Sequence, residues 1–213
     1  GAPAAARAAV VAAMERADPL GYTNAPGSMA LRRRICRHYA EAYGVEVATD
    51  DVIVVAGASA GFTLAFLAAF DAGDRVGVLE PGYPCYRNAL LALGVEPVAI
   101  PVGADTRYQL SADLIARRWS ARTRGVLIAT PSNPTGTTVE RGEMKRIVAE
   151  VDDRGGRLIV DEIYLGLSYD LPPGEQPASA LALSDDLFVI SSFSKYFNMT
   201  GWRLGWVVAP ERH

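Results

Sequence analysis

A lysine flanked by serines stands directly after an apolar run near the end of this 213-residue sequence. Residues 187–190 have the pattern of a buried strand, so the chain delivers Lys195, with Ser192 and Ser194 beside it, to the strand's carboxyl end. Arg203 follows eight residues after the lysine. A lysine in a packed site loses solvation, which favours its neutral amine. A neutral amine can form a Schiff base with an aldehyde.

The residues beside the lysine suit a phosphate, because Arg203 can bind one through two parallel hydrogen bonds. An aldehyde that carries a phosphate indicates pyridoxal 5'-phosphate (PLP). Two other interpretations stay open at this point. Residues 192–195 also match the Ser-x-x-Lys signature of penicillin-binding enzymes, although the Ser-Asp-Asn and Lys-Thr-Gly strings of those enzymes do not occur here. The other is a lysine that is simply solvated at the end of a strand.

Short apolar runs that alternate with helical patterns predict the elements that position these residues. The alternation predicts an α/β domain with a mostly parallel sheet. Ligands of such sheets bind beyond the carboxyl ends of the strands, so the residue after each strand is the informative one. The predicted strands are 52–55, 75–79, 95–100, 125–129, 157–160, 187–190 and 204–208, and the predicted helices are 2–16, 29–43, 60–71, 84–93, 111–119 and 140–153.

The first two strands are followed by a small-residue turn and by a rigid aromatic. Ala58 and Ser59 let the backbone approach a ligand and lie where a helix start offers free N–H groups to an anion. A plain tight turn is the alternative. Tyr83 lies between two prolines and can stack on a flat heterocycle, or else it covers the edge of the core.

Two later strands are followed by polar side chains. Asn133 lies between two prolines, which hold it in an extended turn with its amide exposed, although a simple Asn-Pro turn would look the same. Asp161 ends a buried strand, where a carboxylate needs a partner such as a protonated pyridine nitrogen. Tyr164 follows three residues later and could reach the neighbouring ring oxygen. Glu162 alternates to the other side of the strand and is predicted to be structural.

The charge, hydropathy and cysteine content of the sequence limit which other functions are possible. A net charge of −3 gives no electrostatic reason to expect nucleic acid, and no apolar run approaches the roughly 18 residues that span a membrane. Cys36 and Cys85 have no metal or redox spacing, which fits a reducing cytoplasm. In the helix 29–43, Ser28 is predicted to be the cap, and residues 32–34 with His38 to form a solvated face.

Six strings in this order resemble the class I/II aminotransferases, the fold-type-I PLP enzymes. The resemblance covers essentially the whole chain and implies a three-layer α/β/α sandwich with roughly seven strands. It divides the chain into an N-terminal helical segment, 1–20, and a PLP-binding large domain, 21–213, and implies a fragment without the C-terminal small domain. The strings are YTNAPGSMALR at 22–32, GASAG at 57–61, EPGYPCY at 80–86, PSNPTG at 131–136, DEIY at 161–164 and the segment 192–205.

The resemblance implies a role for each matching residue. Lys195 would hold PLP as a Schiff base and move the substrate proton, Asp161 would bind the pyridine nitrogen, and Tyr83 would stack on the ring. Asn133 and Tyr164 would bind the ring oxygen, with Gly27 and Asn133 near the substrate. Tyr22 would reach the phosphate of the neighbouring subunit in a homodimer. The residues around the phosphate would be Ala58, Ser59, Ser192, Ser194 and Arg203.

The function implied is amino-group transfer between an amino acid and a 2-oxo acid in the cytoplasm, without a metal. A PLP-dependent C–S or other β/γ-lyase would use the same cofactor residues, so it stays open. A PLP-binding regulatory domain attached to a DNA-binding module stays open as well. The family's substrate-carboxylate arginine lies in the small domain, so we expect this piece alone to bind PLP weakly and to transaminate poorly.

Overall fold

The computed structural model describes residues 1–16, 21–169 and 178–210. Strands and helices alternate from the first strand onward, as the apolar runs predict. The strands are β1 (Val52–Val55), β2 (Arg75–Glu80), β3 (Glu96–Pro101), β4 (Thr123–Ala129), β5 (Arg157–Asp161), β6 (Phe188–Ser192) and β7 (Gly205–Val208). The helices are α1 (Ala4–Glu15), α2 (Met29–Tyr43), α3 (Ala58–Ala69), α4 (Pro84–Ala92), α5 (Ala112–Arg118) and α6 (Arg141–Asp153).

The seven strands form one sheet in the order β1-β7-β6-β5-β4-β2-β3. Four neighbouring pairs are parallel, and β7 runs antiparallel to both β1 and β6. Because β7 is reversed, its first residue, Gly205, lies at the same sheet edge as the last residues of β1 and β6. Gly205 pairs with Val55 on one side and with Ser192 on the other. The mostly parallel sheet predicted from the sequence is confirmed.

Helices cover both faces of the sheet, so the three-layer prediction is confirmed. Alternate residues of each central strand face opposite layers, as in β4, where Val126 packs on one side and Leu127 on the other. One core lies under α2, α5 and α6, and the second lies under α3 and α4. Both cores contain β5 and β6 residues, so these two strands are buried on both faces and hold their carboxyl ends rigidly.

Two predictions about the region around α2 are wrong. Ser28 precedes the helix but its side chain makes no capping hydrogen bond. Arg32 is buried instead of solvated: its Nε donates to the carbonyl of Val52, and its Nη2 donates to the carbonyl of Thr49 and to Asp50. In sequence, the three arginines look equally polar. In the helix, however, position 32 faces the start of β1, and the aliphatic part of the Arg32 side chain packs there.

The other boundaries follow the predictions closely. Gly44 ends α2 in the left-handed conformation, as its position predicts. Strand β6 extends two residues beyond the apolar run, because Ser191 and Ser192 pair with β7. None of the helices in the three described segments combines the length and the apolar character that crossing a bilayer requires. The predicted stop of the first helix near 18–19 lies outside the described residues.

Candidate functional site

A cavity of about 210 Å³ opens at the carboxyl edge of the sheet, where the sequence places its site residues. The polar side chains after β4, β5 and β6 converge there with the start of α3. Nine of the residues singled out from the sequence line it: Ala58, Ser59, Tyr83, Asn133, Asp161, Tyr164, Ser194, Lys195 and Arg203.

Lys195 lies on the rim of this cavity. Its Nζ is 5.8 Å from the centroid of the Tyr164 ring, within the range of a cation–π contact. The prediction that the lysine is packed and desolvated is wrong for this chain, because its side chain is exposed.

Asp161 closes the inner end of the cavity and is almost completely buried. The backbone N–H of Ile163 donates to its Oδ1 at 3.0 Å, and the hydroxyl of Tyr86 donates to its Oδ2. Burial raises the pKa of Asp161 to about 6, against the two hydrogen bonds and the charge of Lys195, which lower it. A buried carboxylate of this kind favours a cationic partner in the cavity.

The sides of the cavity are lined by Tyr164, by Asn133 and by the aromatic ring of Tyr83. Burial raises the pKa of the Tyr164 phenol, while a hydrogen bond with Asn133 lowers it, so these two side chains are in contact. Tyr83 precedes α4, with Pro84 at the first position of that helix. Its ring is partly exposed toward the cavity and meets the Tyr86 ring edge to face.

The outer end of the cavity is positively charged. Arg203 donates through Nη1 to the carbonyl of Thr200 at 2.8 Å and to Ser194 Oγ at 3.4 Å. Its guanidinium lies over Gly57, immediately before the first turn of α3 at Ala58. The first N–H groups of a helix have no intrahelical partner, so Arg203 and this helix start offer donors to one anion.

Three of the predicted site residues do not line the cavity. Tyr22 is fully exposed to solvent. Gly27 is buried against Val54, and its φ of 99° requires glycine. Ser192 is buried behind the cavity, where its Oγ accepts the backbone N–H of Ser194 and so shapes the turn that carries the lysine.

Two lining residues carry roles that sequence reasoning missed. Tyr86 holds Asp161, and Thr200 donates its hydroxyl to the carbonyl of Ser194 while its own carbonyl accepts Arg203. Tyr86 belongs to the same string as Tyr83, and its position three residues later, one turn into α4, was the available signal. The predicted structural role of Glu162 matches its contacts, since it accepts hydrogen bonds from Ser179 and from the backbone of Ala180.

Comparison with known proteins agrees with this geometry. The family described as "Aminotransferase class I and II" matches residues 2–213. The chain belongs to the class I and II aminotransferases. Valine–pyruvate aminotransferase of Mycobacterium tuberculosis is 48% identical over 99% of this chain and 53% of its own length. A probable aspartate/prephenate aminotransferase of Aquifex aeolicus is 33% identical over 90% of this chain and 49% of its own.

Solved aminotransferase structures share the fold. An aminotransferase from Mycobacterium tuberculosis superposes with a TM-score of 0.93 at 47% identity, over all of this chain and 57% of that one. A second structure, described as a putative aminotransferase from Silicibacter pomeroyi, superposes with a TM-score of 0.88 at 42% identity. The match covers all of this chain and 52% of that one. The chain therefore spans about half the length of the aminotransferases it matches.

Members of this family depend on PLP, and the residues of the cavity fit that cofactor. Arg203 forms no ion pair with any described residue, so its charge is available to a phosphate. A β-carbon at Gly57 would fill the space that its guanidinium occupies. Asp161 and Lys195 line the same cavity and would hold the ring nitrogen and the aldehyde of the cofactor.

Proposed function

We propose that the natural protein is a PLP-dependent aminotransferase that moves an amino group between an amino acid and a 2-oxo acid. One observation carries the proposal: a single cavity holds a lysine amine, a buried carboxylate and an arginine without an ionic partner among the described residues. These groups match an aldehyde, a pyridine nitrogen and a phosphate, which together define one cofactor.

Each residue then has a specific task. The amine of Lys195 would hold the cofactor through its aldehyde and, when free, would move a proton at the substrate Cα. Asp161 holds a proton on the ring nitrogen by its negative charge. Bound PLP would supply an electron sink for the pair that remains when that proton leaves. Asn133 and Tyr164 donate hydrogen bonds to the ring oxygen.

The remaining side chains hold the cofactor in place. Arg203, Ser194 and the start of α3 at Ala58 and Ser59 bind the phosphate, with Ser192 supporting the turn. Tyr83 stacks on the ring, and the backbone at Gly27 lies beside the substrate. The partly exposed ring of Tyr83 and the position of Arg203 over Gly57 support these assignments.

The substrates are proposed from similarity. The relative that is 48% identical is named for valine and pyruvate, so an aliphatic amino acid with pyruvate is the first pair to test. The similar proteins described above are named aminotransferases, which gives the lyase and regulatory alternatives no support. The cytoplasmic location, suggested by the isolated Cys36 and Cys85, stays a prediction, as does the domain boundary at residue 20.

We also propose a homodimer in which Tyr22 of one subunit contributes to the phosphate site of the other. The family resemblance of the segment 22–32 suggested this arrangement. The full exposure of Tyr22, outside the cavity of its own chain, supports it.

The test uses the natural full-length protein. Titration with PLP should give a visible absorbance band, and borohydride reduction should fix the label on Lys195. Within the 213 residues given, the other lysine is Lys145, which is exposed on α6 and serves as a control. A Lys195→Ala variant should take no label, whereas Lys145→Ala should label fully. No band at saturating PLP, or label on any lysine other than Lys195, would overturn the proposal.

A product assay separates transfer from elimination. With L-valine and pyruvate, a transferase forms alanine and the 2-oxo acid of valine in equal amounts. A lyase acting on a cysteine-type substrate would instead release ammonia together with a thiol. Ammonia release without a new amino acid, from any substrate tested, would replace the transferase assignment by the lyase.

A further inference from the structure

One buried tyrosine contacts both the buried carboxylate and an aromatic side chain of the proposed ring site. The exposed fraction of Tyr86 is 2%, and its hydroxyl donates to Asp161 Oδ2 across the floor of the cavity. Its ring meets Tyr83 edge to face, with centroids 5.5 Å apart and planes at 82°. The other side of the ring packs against Phe62 at 5.0 Å and 73°. Tyr86 therefore contacts both the carboxylate and the aromatic wall.

We propose that Tyr86 is a positioning residue of this site: its hydroxyl fixes the Asp161 carboxylate toward the cavity, and its ring braces Tyr83. The inference rests on the proposed function and assigns a residue that acts through two others. The Oδ1 atom of Asp161 is already bound by the N–H of Ile163. With Tyr86 on Oδ2, both oxygens are fixed and the plane of the carboxylate cannot turn.

The charge of Asp161 depends on the same contact. Burial raises its pKa, and the Tyr86 hydrogen bond is the largest of the effects that lower it. The other groups that face Asp161 are the Ile163 N–H, the charge of Lys195, and Glu162 and Tyr164 on its own segment. Removal of the hydroxyl alone therefore makes Asp161 protonate at a higher pH, with its other neighbours unchanged.

The experiment compares PLP affinity across pH in the natural full-length protein and in Tyr86→Phe. Phenylalanine keeps the ring contacts with Tyr83 and Phe62 and removes only the donor. We expect the dissociation constant to be within about twofold of wild type at pH 8.5 and roughly tenfold higher near pH 6, the size expected for one hydrogen bond to a charged group. The phosphate of PLP titrates in the same way with both proteins. The ratio of the two dissociation constants therefore reports the protonation of Asp161.

A matched control is available in Tyr39→Phe. Tyr39 is as buried as Tyr86, and its hydroxyl accepts the indole N–H of Trp206 at 3.0 Å, away from the cavity. This variant loses one buried hydrogen bond and should lower the thermal midpoint. Its profile of PLP affinity against pH should match that of wild type, so a general loss of stability is separated from an effect on Asp161.

A second variant tests the ring. Tyr86→Leu removes the edge contact with Tyr83 as well as the hydroxyl, so it should weaken PLP binding further at every pH. The inference is overturned if the PLP affinity of Tyr86→Phe equals that of wild type at every pH, or if it is lower by the same factor at every pH. Either result leaves the proposed function intact. Absence of PLP binding by the wild-type protein overturns the proposed function itself.

Discussion

The guanidinium of Arg203 occupies the space where residue 57 would carry a side chain. A β-carbon at Gly57 would lie 2.9 Å from Cζ of Arg203, and the backbone there has φ of 84°, which favours glycine. Two segments separated by almost 150 residues in sequence are therefore in contact at the phosphate end of the cavity. Glycine at this position is required by the arginine as well as by the turn.

Gly57→Ala should therefore weaken cofactor binding more than it weakens the fold. The methyl group displaces Arg203, and we expect the PLP dissociation constant to rise at least about tenfold, since a charge-assisted contact is lost. Gly73→Ala is the matched control, because Gly73 has φ of 91° and no atom near its absent β-carbon. Both variants should lose roughly 1–2 kcal/mol of stability from backbone strain. Equal PLP affinity in the two variants would contradict the prediction.

Replacement of Arg32 should destabilise the protein although it stands in a polar run. Arg32→Met removes the guanidinium donors from the carbonyls of Thr49 and Val52, at a cost of about 2–4 kcal/mol. Arg33→Met changes an exposed neighbour and should shift stability by less than about 0.5 kcal/mol. Urea unfolding measures both, and equal midpoints would show that the buried contacts contribute nothing.

Glu162 should make the stability of the cofactor-free protein depend on pH. Burial raises its pKa from 4.5 to about 7, so the folded state keeps a proton that the unfolded state releases. The free energy of unfolding should therefore fall as pH rises through this window, by an amount on the order of 3 kcal/mol, and level off above it. Asp161 acts in the same direction up to about pH 6.

The Glu162→Gln variant isolates the contribution of this carboxyl. The loss of stability that the wild type shows between about pH 6 and 7.5 should be absent from this variant. Glu46→Gln removes an exposed carboxylate and should keep the wild-type slope. Thermal midpoints at five or six pH values suffice, and a wild-type slope retained in Glu162→Gln would disprove the assignment.

Subunit complementation tests the proposed role of Tyr22. A mixed dimer of Tyr22→Ala and Lys195→Ala subunits contains one site with an intact lysine and a tyrosine from its neighbour. If Tyr22 serves the neighbouring subunit, the purified mixed dimer should have about half of the wild-type activity, and a random 1:1 mixture should have about a quarter. If the tyrosine serves its own subunit, every site in the mixture is defective, and activity stays at the level of the separate variants.

The elements and most of the site could be predicted because local signals specify them. Apolar runs mark β1 to β7, and the polar residues at or just after the ends of β4, β5 and β6, such as Asn133 and Asp161, then lie at one edge. Tyr86 and Arg32 could not be assigned in this way. Their roles depend on partners brought close only by the fold: Asp161 lies 75 residues from Tyr86, and the contacts of Arg32 depend on how α2 meets β1.

The exposure of Lys195 shows a second limit of the sequence. A strand end flanked by serines predicts where the amine lies, and the structure places it on the cavity as expected. Whether the amine is covered depends on what packs over the rim, and no local pattern reports that. Residues 187–192 could therefore fix the position of the lysine but not its solvation.

The reversed strand β7 also constrains how the chain is made. Val52 pairs with Val208, so the edge strand β1 gains its one strand partner among the described residues after more than 150 further residues have been synthesised. Such distant pairing delays folding. On the ribosome, β1 and the turn at Gly57 must wait for β7 to emerge, so the phosphate-binding end of the cavity cannot form before that strand is made. Nascent chains that end before β7 should therefore gain no protection from proteolysis when PLP is added.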